Sequence, residues 1–157
     1  MAWKVVFYRD LVTHEQPARE WLVELRKSEP EKYAAALAAI KRVLAAHGID
    51  VCETEWGKNL GSGLYEFRIR HPAGTIETMF PLADDDATAT TEGRGAARLL
   101  LRIYFTTYGP HVILICSGYD KGRDPSSHRQ RAEITRAREL AEKARDGLRA
   151  RLRDTGA

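Results

Sequence analysis

Two apolar runs separated by a Gly-Pro pair constrain the fold of this chain more than any other feature. "LLLRIYFTTY" occupies residues 99–108 and "HVILICSGY" occupies residues 111–119, with only Gly109 and Pro110 between them. A junction this short is typical of a β-hairpin. The second run is apolar on both faces as far as residue 116, which is typical of a strand in the interior of a sheet. The sequence therefore predicts a hairpin at the centre of a sheet.

A third run, "GLYEFRIR" (63–70), has the strict alternation of a strand with two different faces. Its polar face carries Glu66, Arg68 and Arg70. If this strand pairs with "LLLRIYF", then Arg68 or Arg70 lies near Arg102 on the same side of the sheet. Clustered guanidiniums repel one another unless Glu66 or a bound anion neutralises them. Two interpretations stay open: a solvated surface with ordinary ion pairs, or a face that binds an anion.

The remaining segments predict helices around this sheet. "WKVVFY" (3–8) has the composition of a first strand. Apolar residues then recur at helical spacing over 18–25, and again at Tyr33, Leu37, Ile40 and Leu44, which predicts a helical hairpin. From Pro125 onward the chain has the pattern of a long charged helix. Its apolar side carries Ile134, Ala137, Ala141, Ala144 and Leu148.

Together these elements predict one α+β domain over residues 1–157, a small, mainly antiparallel sheet with the helical hairpin on one face. The opposite face is expected to be partly open. Residues 72–98 are predicted to be a loop or hairpin insertion. Within this insertion, "TIETMF" has the pattern of an additional strand. "PLADDDATATTEGRGA" has the composition of a loop, which favours a surface insertion, with a functional lid as the alternative.

Charge is unevenly distributed along the chain. The net charge is +3, but residues 121–157 contain 11 Lys/Arg and 6 Asp/Glu, a net charge of +5. This basic third suits a polyanionic or acidic partner, although the same charges also suit a solvated helix. Directly after the last strand, Tyr119, Lys121 and Arg123 combine a ring for base stacking with cations for a nucleic-acid backbone.

No feature indicates export, a membrane or a metal. The N-terminus has no long apolar stretch, and the longest apolar run, "VILIC", is too short to span a bilayer. Cys52 and Cys116 lack metal-type spacing. We therefore expect a cytoplasmic protein with reduced thiols, with Cys116 buried in a strand, and no metal or other cofactor.

The order of these motifs resembles the RelE/ParE superfamily of toxin–antitoxin toxins, and most closely the phage-derived HigB-like group. The matching stretches are "VVFYRD", "WLVELR", "KNLGSGLYEFRIR", "LRIYFTT", "ILICSGYDKGRDP" and "AEITRAREL". They cover most of residues 3–141 apart from 72–98. The resemblance implies a RelE-like fold and the toxin component of a type II toxin–antitoxin system. It also implies metal-independent, ribosome-dependent cleavage of mRNA, and a HigA-like helix-turn-helix antitoxin as partner.

The resemblance also suggests roles for individual residues. Arg68 and Arg102 would stabilise the charge on the phosphate under attack, and Glu66 would position Arg68 or act as a base. Lys121 and Arg123 would hold the phosphate, and Tyr119 would orient a base. Arg70 and Lys58 complete the substrate-binding set.

The chain departs from the family pattern at the final motif. Ser117 and Tyr119 stand where the family has histidine and phenylalanine, and Gly122 and Arg123 stand where it has a second lysine. Two alternatives therefore remain open: a ParE-like protein that poisons gyrase without cleaving RNA, and an inactive binding module on the same fold.

Overall fold

A five-stranded mixed sheet forms the centre of the molecule in the order β1-β5-β4-β3-β2. The computed structural model describes residues 2–83 and 99–154, with side chains as far as Leu148. The strands are β1 (Lys4–Phe7), β2 (Gly57–Gly61), β3 (Leu64–Ile69), β4 (Leu101–Thr107) and β5 (Val112–Asp120). The helices are α1 (Pro17–Ser28), α2 (Pro30–Ala39), α3 (Ala45–His47), α4 (Ala73–Met79) and α5 (Ser127–Asp154). A π-helical segment (Ile40–Leu44) joins α2 to α3, and a 3₁₀ segment (Gly48–Glu53) follows α3.

The predicted hairpin is confirmed. β4 and β5 pair antiparallel on either side of the Gly109-Pro110 junction, and β5 lies in the interior of the sheet because β1 pairs parallel to its other edge. β3 pairs antiparallel with β4, as the alternation predicted. The sequence analysis did not predict β2 (Gly57–Gly61). "GKNLG" has glycine at both ends and little β propensity, so pairing with the free edge of β3 decides its conformation.

Helices α1 and α2 pack against each other and cover one face of the sheet. Ala35, Ala36 and Ala39 are fully buried there, so α2 approaches the sheet through small side chains. Leu37, which the helical spacing placed in the apolar stripe, is instead 41% exposed. The apolar spacing alone does not show whether the alanines or Leu37 face the sheet. A helix face of alanines packs against a sheet as well as a face of leucines does, provided that the helix lies close to it.

The opposite face is covered by α5 rather than left partly open. Ala137 and Ala141 of α5 are buried in a second apolar cluster with Leu64, Tyr104, Cys116 and Tyr119. Arg138 and Arg145 fasten the helix further along, since their guanidiniums donate to main-chain carbonyls of Leu60, Gly61 and Ser62 in the β2–β3 turn. The molecule therefore has three layers, with the sheet between the α1–α2 pair and α5.

The segment after β3 corrects another expectation. Ala73–Met79, which includes most of the predicted strand "TIETMF", is the helix α4. Ile76 is fully buried and α4 packs on α2, so tertiary packing outweighs the β propensity of Thr75 and Ile76. Residues 84–98, the rest of the predicted insertion, lie outside the described residues. Within the described part of the chain, no helix is both long enough and apolar enough to cross a membrane.

Candidate functional site

The polar residues singled out in the sequence lie in two rows on the α5-facing side of the sheet. In the first row, Lys58 is opposite Glu66, Glu66 is opposite Tyr104, and Tyr104 is opposite Ser117. In the second row, Arg68 is opposite Arg102, and Arg102 is opposite Tyr119. Side chains directly opposite on paired strands are close enough to interact. The prediction that Arg68 and Arg102 share one side of the sheet is thus confirmed.

Glu66 is at the centre of this arrangement and is fully buried. Its Oε1 accepts a hydrogen bond from Arg68 Nε at 2.7 Å and lies 3.8 Å from Arg102 Nε. Its Oε2 accepts from Gln130 Nε2 of α5 at 3.4 Å. A carboxylate placed between two guanidiniums reduces their mutual repulsion and fixes their positions. This geometry suits a positioning group better than a general base, because both oxygens are already engaged.

The electrostatics of Arg102 reflect the same crowding. Burial lowers the pKa of Arg102, the carboxylate of Glu66 opposes that effect, and the charges of Arg68 and Arg70 lower the pKa further. The side chain of Arg102 is 4% exposed and that of Arg68 is 24% exposed. An arginine keeps its charge at physiological pH. Arg68, Arg70 and Arg102 therefore place three positive charges near the single carboxylate of Glu66. Such a cluster attracts an anion.

The other predicted residues lie at different distances from this cluster. Lys121 lies in the turn directly after β5, where its main-chain N–H donates to Leu100 O at 2.8 Å. Arg123 is directed elsewhere, because its guanidinium pairs with Glu29 at 3.5 Å near the α1–α2 junction. Lys58 is exposed on the edge strand β2.

Tyr119 is enclosed. Its ring is 2% exposed, is stacked with Tyr104 at a centroid distance of 6.3 Å, and has the guanidinium of Arg129 5.4 Å from its centroid. Burial raises the pKa of both tyrosines, so both hydroxyls stay protonated at neutral pH. An RNA base reaches Tyr119 only if the first turns of α5, which carry Arg129, move away.

The sequence analysis did not single out Tyr104, Gln130 or Glu133. Glu133 pairs with Arg129 at 2.9 Å and is only 8% exposed. A signal for Gln130 was present, since the apolar stripe of Ile134, Ala137 and Ala141 extends back by one turn to this residue. Among the described residues, Ser117 Oγ and Glu133 Oε2 are buried polar atoms of this region without a hydrogen-bond partner.

The first turns of α5 contact this face through Gln130, which donates to Glu66, and through Arg129, whose guanidinium lies over the ring of Tyr119. In the part of the chain that the structure describes, no group of three or more His, Cys, Asp or Glu side chains is placed to hold a metal ion.

The sequence matches no protein-family model, and a search of curated proteins finds no match either.

Proposed function

We propose that this chain is a toxin of the RelE/ParE type, nearest to the HigB-like group, that cleaves mRNA on the ribosome without a metal. The observation that carries the proposal is the placement of Arg68 and Arg102 directly opposite each other, with the buried carboxylate of Glu66 between them. The element order supports it as well, since an N-terminal helical pair, an antiparallel β3-β4-β5 unit and a C-terminal helix are what the resemblance implies.

The chemistry needs no protein nucleophile. The 2′-OH of the RNA attacks the adjacent phosphorus, the bond to the 5′-oxygen of the next nucleotide breaks, and a 2′,3′-cyclic phosphate and a 5′-hydroxyl result. Negative charge grows on the phosphate oxygens in the transition state, where preorganised guanidiniums stabilise it. Arg68 is the more exposed of the two and meets the phosphate first, while Glu66 holds both guanidiniums in place. Lys121, in the turn after β5, binds a neighbouring phosphate oxygen.

This mechanism requires a movement of α5. Arg102 is 3% exposed as a residue and Glu66 is fully buried, and Gln130 of α5 contacts the carboxylate directly. RNA therefore reaches Arg102 only when the first turns of α5 shift.

The burial of the cluster also favours one alternative. A ParE-like protein that poisons gyrase needs no substrate access to Glu66 and Arg102, and the two arginines would then be structural. Primer-extension mapping of mRNA after induction, together with gyrase supercoiling assays, separates the two functions. Cleaved transcripts with normal supercoiling support the ribonuclease, and intact transcripts with inhibited supercoiling refute it.

Variants sharpen this test. Arg68→Ala and Arg102→Ala are each expected to reduce cleavage on programmed ribosomes by about 10²-fold or more, as is typical when one preorganised donor to a transition-state oxyanion is lost. Arg19→Ala is the matched control, because Arg19 is an exposed arginine of α1, on the opposite face of the sheet. Unchanged growth inhibition by Arg68→Ala, at wild-type protein levels, would point instead to an inactive binding module.

The proposal places the protein in the cytoplasm with mRNA, the ribosome and a HigA-like helix-turn-helix antitoxin as partners. The basic charge of residues 121–157 suits ribosomal RNA or an acidic antitoxin. Binding to either should weaken steeply with salt, because counterions are released when phosphates are neutralised. A small helix-turn-helix protein encoded beside this gene would support the assignment, and a dissociation constant independent of salt would count against a role for this basic helix.

A further inference from the structure

A groove of about 330 Å³ lies beside the edge strand β1, between β1, β5 and the second half of α5. We refer to it as the β1–α5 groove. None of the residues that line it belongs to the Arg68–Glu66–Arg102 cluster. It therefore offers a second site whose chemistry is independent of the proposed cleavage reaction.

The floor and one wall of the groove are apolar. Val6 of β1 is paired with Leu114 of β5, and both line the groove. Ala144 and Leu148 form the wall on α5, four residues apart and so on one face of the helix. These are the two residues of the predicted apolar stripe that the buried cluster around Ala137 and Ala141 does not include.

A leucine closes the groove from the β1–α1 loop. Leu11 is 58% exposed and lines the groove together with Gly147. The two are close, because a Cβ added at Gly147 would lie 3.1 Å from Leu11 Cδ1. The glycine thus leaves space for Leu11 to lie against the helix. Because Leu11 covers the groove with its side chain and not with backbone, it can change rotamer to admit a ligand.

The charged residues lining the groove are all cations: Lys4, Arg9 and Lys143. Each is exposed, and none forms an ion pair with any residue in the described ranges. The neighbouring carboxylate, Asp10, does not neutralise them. It accepts hydrogen bonds from the N–H groups of Val12 and Thr13, which together lower its pKa, and from the hydroxyl of Tyr8.

We propose that the β1–α5 groove binds a small amphipathic anion, a molecule with an apolar body and one carboxylate or comparable head group. The apolar floor and wall take the body, and the positive charge of the unpaired cations that line the groove attracts the head group. The volume decides the size of the ligand, since ligand pockets span roughly 300–1,000 Å³ and this groove is near the lower limit. A single short aliphatic chain or small ring system fills it.

Decanoate is the probe that tests the proposal. Isothermal titration calorimetry of the full chain is expected to show saturable binding of one decanoate, while decylamine at the same concentrations gives none. Amide resonances of Val6, Leu114 and Leu148 should shift along with the heat signal. Lys4→Gln and Lys143→Gln should each weaken binding by roughly two- to fivefold, the range for one exposed ionic contact. Lys41→Gln, at an exposed lysine outside the groove, is the matched control and should change nothing.

A groove-filling variant gives the decisive comparison. Ala144→Phe is expected to abolish decanoate binding, because the added ring occupies the space between α5 and Val6. Should Ala144→Phe fail to fold, the Lys4→Gln/Arg9→Gln/Lys143→Gln variant replaces it, because all three residues are exposed and their loss leaves the core intact. Several results would overturn the proposal: no saturable binding at millimolar decanoate, equal binding of decylamine, or undiminished binding to the filled or neutralised groove. Dimerisation that Ala144→Phe abolishes would also overturn it, since a second copy would then occupy the groove.

Discussion

Replacing Glu66 by glutamine should destabilise the protein far more than a surface substitution would. Glu66 is fully buried, and its partner Arg102 has a side chain only 4% exposed. Glu66→Gln keeps the shape but removes the charge, so the guanidinium of Arg102 is left buried beside Arg68 with no carboxylate. At a separation near 4 Å and an effective dielectric constant of 20, one unit-charge pair is worth about 4 kcal/mol. Breaking a buried pair from one side typically costs about 3–5 kcal/mol.

We therefore expect Glu66→Gln to lower the free energy of unfolding by about 3 kcal/mol. Urea denaturation followed by circular dichroism measures this. With a slope of about 2 kcal/mol/M for a protein of this size, the midpoint should fall by about 1.5 M. Arg68→Gln is the comparison, because it removes a partner that is partly exposed and leaves Glu66 still paired with Arg102. Arg68→Gln should lower the free energy of unfolding by only about 1 kcal/mol.

A double-mutant cycle tests the reasoning directly. In an Arg102→Gln background the buried cation is gone, so Glu66→Gln should cost at least about 2 kcal/mol less than in the wild type. An additive cycle, or a cost of Glu66→Gln below about 1 kcal/mol, would show that Arg102 does not depend on this carboxylate. The positioning role assigned to Glu66 would then fail too.

Three further predictions concern other parts of the fold. Gly118→Ala should cost about 1–3 kcal/mol by overpacking, because its Cβ would lie 2.6 Å from the ring of Trp21; an unchanged melting temperature would contradict this close approach of α1 to the sheet. Burial raises the pKa of the Cys116 thiol from 9.0 to about 12, so its contribution to stability is complete below pH 9 and is lost as the pH rises from 9 through 12. Urea unfolding at pH 8 and 10.5 should therefore show a loss of about 2 kcal/mol that Cys116→Ala lacks, and equal losses in both proteins would refute the assignment. Arg129→Ala uncovers the ring of Tyr119 and removes the partner of Glu133. The near-ultraviolet circular dichroism of the tyrosines should therefore change, and the free energy of unfolding should fall by about 1 kcal/mol. Identical spectra would mean that Arg129 does not cover the ring.

Local patterns in the sequence were enough to predict much of this fold. The alternation in "GLYEFRIR" and "LLLRIYF" identified the two strands and the side of each that carries Arg68 and Arg102. The Gly109-Pro110 junction identified the hairpin. These features depend on neighbours within a few residues, so they are visible in the sequence.

The errors occurred where distant parts of the chain decide. β2 is a strand because the edge of β3 is free to pair, and Ala73–Met79 is a helix because Ile76 is buried against α2. Neither cause is present in the local sequence. The same holds for the position of Leu37, which depends on how closely α2 approaches the sheet.

The sequence by itself determined, through the two-residue period of a strand, that Glu66 and Arg68 share one face of β3. The same period does not hold throughout β5, because its register against β4 shifts between Ile115 and Ser117. Only the tertiary structure decided that the face carrying Glu66 and Arg68 lies beneath α5 and that Glu66 is fully buried. It also decided that Tyr119 is enclosed between Tyr104 and Arg129. The physical reason is that burial is a property of the assembled layers. A charge pattern on a strand looks the same in sequence whether water or a helix covers it, and the strength of every interaction in the cluster depends on which of the two is present.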